Sequence, residues 1–145
     1  MRGFVLASLL AACLACDGGP TSPSASSSFD VDCADHLATI PDAWSREAVG
    51  WTVLFRNTCD FRIVINVAAR MFRNGQPIPD FWLKGVLSAP HGDCALHFRS
   101  ESECGVSDYG CAPSNDYQLA VSYRACRAEH EDRCDYPNAP TRISG

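Results

Sequence analysis

The chain has 145 residues, an apolar fraction of 46%, a formal net charge of -5 and nine cysteines. Its length allows one domain, its apolar fraction excludes general disorder, and its acidic balance lacks the basic footprint of a nucleic-acid binder. So many cysteines mean metal or redox use in a reducing compartment, or disulfides in an oxidising one.

Residues 1–12 open with the positive Arg2 and continue as an apolar run, 3–12. A membrane span needs ~20 apolar residues, so the run is too short to cross a bilayer. It fits the apolar region of a secretory signal peptide. The run leads into Leu10-Ala11-Ala12-Cys13, with a Leu three positions before a cysteine and two small residues between. This resembles the lipobox of bacterial lipoproteins. The resemblance implies cleavage before Cys13 and a diacylglycerol thioether on its sulfur, hence a fatty-acylated (palmitate-type) membrane anchor. With Leu14 following the cysteine it also implies the outer membrane of the cell envelope. The resemblance ends at residue 13 and is silent on the domain behind it.

Cys16 competes for the lipid, but the preceding Cys13, Leu14 and Ala15 fit the motif poorly. Lipid on Cys13 leaves eight of the nine cysteines, an even number; lipid on Cys16 leaves seven. It would also put Asp17 next to the modified residue, which implies retention in the inner membrane. Plain secretion after Ala15 is the alternative without lipid. Residues 13–28 then hold the anchor and a Ser/Pro/Gly-rich tether. From Asp17 on it has no large apolar side chain and is expected to be a coil spanning roughly 20 Å.

Residues 29–136 form the expected domain. Residues 29–45 carry no clear period: Pro41 rules out a long helix, and Asp30, Asp32 and Asp35 lack the ligands and turn glycine of a calcium loop. The strongest pattern lies at 47–72. Val49, Trp51, Val53 and Phe55 alternate with less apolar residues, and so do Phe61, Ile63, Ile65, Val67, Ala69 and Met71. Alternation at period two is the mark of a strand with one buried face. The two runs are separated by Asn57-Thr58-Cys59-Asp60 and read as a hairpin, with Arg62, Asn66 and Arg70 turned to water. Asn74-Gly75 marks a tight turn, and Pro77 and Pro79 are expected to keep the residues after it out of a ladder. Further strands are expected at 81–87, at 94–99 with Leu96 and Phe98 inward, and at 117–124. The stretches 88–93 and 100–116 read as loops, and 137–145 as a flexible tail. Several short strands with turn signals between them predict an all-β fold, a small disulfide-stabilised antiparallel β-sandwich or barrel-like domain.

Eight cysteines allow 105 pairings. In a meander Cys59 and Cys94 reach the same end and are candidates to pair. Cys104 with Cys111, and Cys126 with Cys134, flank short loops and are candidate local bridges. Cys33 and Cys16 are left over.

Two clusters have metal-ligand residue types: Cys126, His130 and Cys134, and His91, Cys94 and His97. Each offers only three ligands. On a strand, Cys94 and His97 point to opposite faces. Disulfides and surface histidines are therefore expected, with no cofactor. A nucleophile elbow and a paired-histidine zinc motif are both missing from the sequence. Glu101, Glu103 and Asp108 stand in a polar loop, and Cys94 is the one cysteine beside histidines. Arg56, Arg62, Arg70 and Arg73 would make one hairpin face basic; an ordinary solvated face is the leading reading, and docking on an envelope protein or an anionic surface the sharper one. The functional expectation is a membrane-anchored envelope lipoprotein with a non-catalytic binding or structural domain. The alternatives are a periplasmic zinc- or copper-binding protein and a small hydrolase.

Overall fold

The computed structural model describes residues 29–42, 49–100 and 116–143. The expected signal peptide and tether, Cys13, Cys16, Cys104, Cys111 and the carboxylates Glu101, Glu103 and Asp108 lie outside the described residues. Six strands follow in order: β1 (Ala34–Asp42), β2 (Val49–Asn57), β3 (Ile63–Arg73), β4 (Gln76–Ser88), β5 (Asp93–Ser100) and β6 (Tyr117–Arg127). A short 3-10 segment, Ala128–Arg133, comes after them. The strands form two antiparallel three-stranded sheets, ordered β1-β2-β5 and β4-β3-β6. The all-β, disulfide-stabilised fold expected from the alternation is the one observed.

The partnership of the two most regular strands differs from the expected hairpin. β2 pairs with β1 and β5, whereas β3 pairs with β4 and β6. The chain turns a corner from one sheet to the other between them. A period of two fixes which side chains share a face, but not which strand lies alongside. In a sandwich the inward faces of β2 and β3 meet across the core instead of lying side by side. Val53 and Phe55 of one sheet therefore pack with Ile63, Ile65 and Val67 of the other, and Leu96 and Phe98 join them from β5. A second group, Val49, Trp51, Met71, Ile78 and Tyr117, fills the far end, and Trp82 and Leu119 touch both groups.

Asn57 builds the corner. It is fully buried. Its Nδ2 donates to the carbonyls of Phe61 (2.8 Å) and Ala89 (2.9 Å), and its Oδ1 accepts from the Cys59 backbone N–H at 2.9 Å. One amide thus engages backbone groups from both connections at this end. The Cys33–Cys59 disulfide closes the same end, with Cα atoms 5.5 Å apart. Cys59 is thereby committed to Cys33 and not to Cys94, which is a free thiol. The meander that suggested the other pairing does not form.

Residues 29–45 hold a strand that the sequence hides. Asp30 makes a β-bridge to Cys126, and the Val31 N–H donates to the Ala125 carbonyl at 2.9 Å. The chain then changes sheets and becomes β1, an edge strand whose register slips between His36 and Ala38. That irregularity and the mostly exposed residues of β1 erase the period. β4 is also longer than expected. It starts at Gln76 and includes Pro77 and Pro79, because it too is an edge strand and its free side needs no N–H. Lys84 points inward from β4; its ammonium lies over the Phe98 ring and donates to the His97 carbonyl. An inward charge and edge prolines discourage another strand from adding to this edge.

Candidate functional site

β3 is the middle strand of its sheet and is covered on both faces. Its outward residues Val64, Ala68 and Phe72 are buried, and Asn66 is only 4% exposed. The expectation that Asn66 faces water therefore fails. What covers it is the chain after β6. Cys126 and Cys134 form a disulfide, with Cα atoms 5.9 Å apart, and this bridge packs on Val64. The bridge draws the C-terminal segment back over the sheet. There the Asn66 Nδ2 donates to the Cys134 carbonyl at 2.6 Å. Farther on, the Ser122 hydroxyl donates to the Asn138 carbonyl, and Ile143 reaches a cleft lined by His36, Thr39 and Leu119.

The ladder places Gly85 of β4 beside Asn66. A Cβ at Gly85 would lie 2.7 Å from the Asn66 Oδ1 and 3.3 Å from the Tyr136 hydroxyl oxygen. The missing side chain therefore opens a gap in the outer face of β4, with a buried amide at its floor. The pocket above it has a volume of about 520 Å³. Leu87, Glu131, the Cys134 bridge and Tyr136 form its walls. Along β4 the outward side chains of Phe81 (48% exposed), Leu83 (48%) and Leu87 (44%) continue the apolar surface away from it.

The orientation of the Asn66 amide follows from its partner. A backbone carbonyl only accepts, so the NH₂ group must face Cys134. The Oδ1 is then turned the other way, toward the gap at Gly85. Among the described residues it accepts no hydrogen bond. The Asn66 amide thus turns an acceptor with spare capacity toward a pocket lined by both polar and apolar residues.

The residues singled out from sequence fall elsewhere. Arg56 leaves the outer face of β2 and makes a two-pronged pair with Asp93, at 2.7 and 2.9 Å. The Arg56 hydrogen bond holds the Asp93 carboxyl below the usual aspartate range. Arg70 belongs to the other sheet. Its guanidinium lies over Phe81 at 5.4 Å, and its Nε is buried without a partner among the described residues. Arg62 precedes β3 at the corner, and Arg73 ends β3 at the opposite pole. Without the hairpin the four arginines do not share one face.

The sulfurs of Cys126 and Cys134 are bonded to each other, so the cluster with His130 lacks the thiolates a metal would take. The His130 ring packs instead on Phe29, with centroids 4.5 Å apart. Cys94 lies on the inward side of β5, the side of Leu96 and Phe98, while His97 is exposed on the opposite side and hydrogen-bonds Thr52. Burial pushes the Cys94 thiol up, toward its neutral form, whereas a nucleophile needs the opposite shift. Among the described residues no group of three or more metal-ligating side chains converges.

No family model matches the chain, and no curated protein or solved structure matches it significantly.

Proposed function

We propose that this protein is a lipid-anchored lipoprotein of the cell envelope, held at the outer membrane through Cys13, whose β-sandwich binds a partner at the Asn66–Gly85 pocket without catalysis. The pocket supports the binding role: the Asn66 oxygen, which accepts no hydrogen bond among the described residues, faces it, Leu87, the Cys134 bridge and Tyr136 wall it, and the gap at Gly85 keeps it open. The lipobox-like Leu10-Ala11-Ala12-Cys13 supports the anchor. The Cys33–Cys59 and Cys126–Cys134 bridges suit an oxidising compartment.

The first described residue is fixed to the fold near the pocket. The Phe29 ring is held between His130 and the Arg133 guanidinium, which lies 5.4 Å above it. The tether therefore joins the domain at the pole that carries the 3-10 segment, and the pocket opens on the side next to that pole. A partner on the same membrane surface lies within reach of a coil of roughly 20 Å.

Metabolic labelling with a fatty-acid analogue tests the anchor. The wild-type protein should be labelled, and Cys13→Ser should accumulate as unlabelled precursor. Continued labelling of that variant would move the anchor to Cys16, and an unlabelled wild-type protein would end the lipoprotein reading.

A further inference from the structure

We infer that two copies of this chain pair along the free edge of β6, antiparallel and about a two-fold axis at Ala120. The inference does not use the Asn66 pocket. A sheet edge presents a row of unpaired N–H and C=O groups, and native sheets guard such edges against addition. Three of the four edges here are guarded. β4 has Pro77, Pro79 and the inward Lys84, and the same lysine caps the His97 carbonyl of β5. β1 has Pro41 and the register slip between His36 and Ala38. β6 has none of these devices. Residues 117–123 hold no proline and no charged side chain, and their pairing with β3 runs without a slip.

One contact identifies the free side of β6. Ala125 accepts there from the Val31 N–H. Backbone groups alternate sides along a strand, so Tyr123, Val121 and Leu119 turn theirs the same way. Among the described residues these three make no backbone bond on that side. Ile143 lines the cleft beside Leu119 and Val121. No ladder bond holds it to β6, and it gives way to an added strand.

The sequence of the edge selects the occupant. Asp116-Tyr117-Gln118-Leu119-Ala120-Val121-Ser122-Tyr123-Arg124 has complementary character when paired with its own reverse. A two-fold at Ala120 sets Tyr117 against Tyr123 of the second copy, Gln118 against Ser122, Leu119 against Val121 and Asp116 against Arg124. Aromatic meets aromatic, polar meets polar, aliphatic meets aliphatic and acid meets base, all favourable cross-strand pairs. The backbone fits the same register. Leu119 and Val121 both face the free side, so each exchanges its N–H and C=O with the other across the axis. Asp116 is exposed and is held in line with the strand by two bonds to Asn74, at 2.8 and 2.9 Å. Arg124 lies 3.5 Å from Asp30, and a guanidinium with five N–H donors can serve a second carboxylate. Such an isologous contact closes as a dimer, and the guarded edges keep it from growing further.

The test is sedimentation equilibrium of the full-length protein in density-matched detergent, with two double variants. Gln118→Lys with Ser122→Lys sets like charges opposite each other across the axis. Gln118→Glu with Ser122→Lys sets opposite charges there, at the same two positions. The wild-type protein should show a concentration-dependent dimer. The first variant should dissociate and the second should not. Their dissociation constants should differ about tenfold or more, because the two-fold places two such pairs in each dimer. A monomer at every concentration would overturn the inference. So would a dimer that both variants weaken equally or leave unchanged, since another surface or register would then hold it. A second measurement needs no variant. In a mixture of isotope-labelled and unlabelled wild-type protein, a filtered Overhauser spectrum should join the Ala120 α-protons of the two copies, which face each other closely in a non-hydrogen-bonded pair. A dimer without that contact would equally contradict the pairing.

Discussion

Two asparagines, Asn57 and Asn66, stand among the buried polar side chains of the described residues, and their surroundings give them different roles. The Asn57 amide uses both its oxygen and its nitrogen on backbone groups of the corner. It is a structural residue with both its oxygen and its nitrogen engaged. Asn57→Ala takes that partner from the Phe61 carbonyl and from the Cys59 N–H, and each buried unsatisfied group costs about 1–3 kcal/mol. A loss of about 2 kcal/mol or more is expected in chemical denaturation, with the midpoint falling and the slope unchanged. A loss under about 0.5 kcal/mol would mean that the corner is held by other groups. Among the described residues Asn66 uses only its nitrogen. Neither role is visible in the sequence, where both asparagines read as polar punctuation. Asn57 stands where a turn residue is expected, and Asn66 stands in the alternate position of a strand that looks half-exposed. The signal that singles out Asn66 is its burial on an outer face, which depends on chain 68 residues away.

At the scale of the strands, the inward faces of β2, β3 and β5 were legible from their alternation, because burying one face imposes a period of two whatever the partner. β1 was not legible, since an edge strand with a slipped register and few buried residues has no period to show. The outward face of β3 misled for a different reason. Arg62, Asn66 and Arg70 at one phase suggested water, yet Val64, Ala68 and Phe72 at the same phase are buried. The structure accommodates Arg70 by stacking it on Phe81 and leaves Arg62 exposed. The consequences are separable by mutation. Ile65→Ala empties a fully buried position and should cost about 2–5 kcal/mol. Arg62→Ala should stay within about 0.5 kcal/mol, as exposed substitutions do. Similar losses in the two variants, measured by equilibrium unfolding, would mean that the face assignment of β3 is wrong.

At the scale of the whole molecule, the chain changes sheets between β2 and β3, between β4 and β5, and between β5 and β6. One sheet is complete only when β5 arrives and the other only when β6 does, so the core depends on contacts distant in sequence. Two disulfides offset that dependence. In the chain-entropy description, the Cys33–Cys59 link, with a sequence separation of 26, contributes about 3.5 kcal/mol. The Cys126–Cys134 link, with a separation of 8, contributes about 2.5 kcal/mol. The shorter link has a second effect, because it holds the C-terminal segment over β3 and so builds the wall and floor contact of the pocket. Its pairing was legible from spacing alone, and the pocket it makes was not. The pocket needs the β3–β4 register, the missing side chain of Gly85 and the returning chain together.

The nuclear Overhauser spectrum of the protein tests this arrangement most directly. Cross-strand contacts should join β2 to β5, as between Val53 and Leu96, and β3 to β6, as between Val67 and Tyr123. The Asn66 side-chain amide protons should exchange slowly and show contacts to the Cys134–Asp135 backbone and to the Gly85 α-protons. Ladder contacts between β2 and β3 instead, with a rapidly exchanging Asn66 amide, would contradict both the two-sheet fold and the pocket built on it.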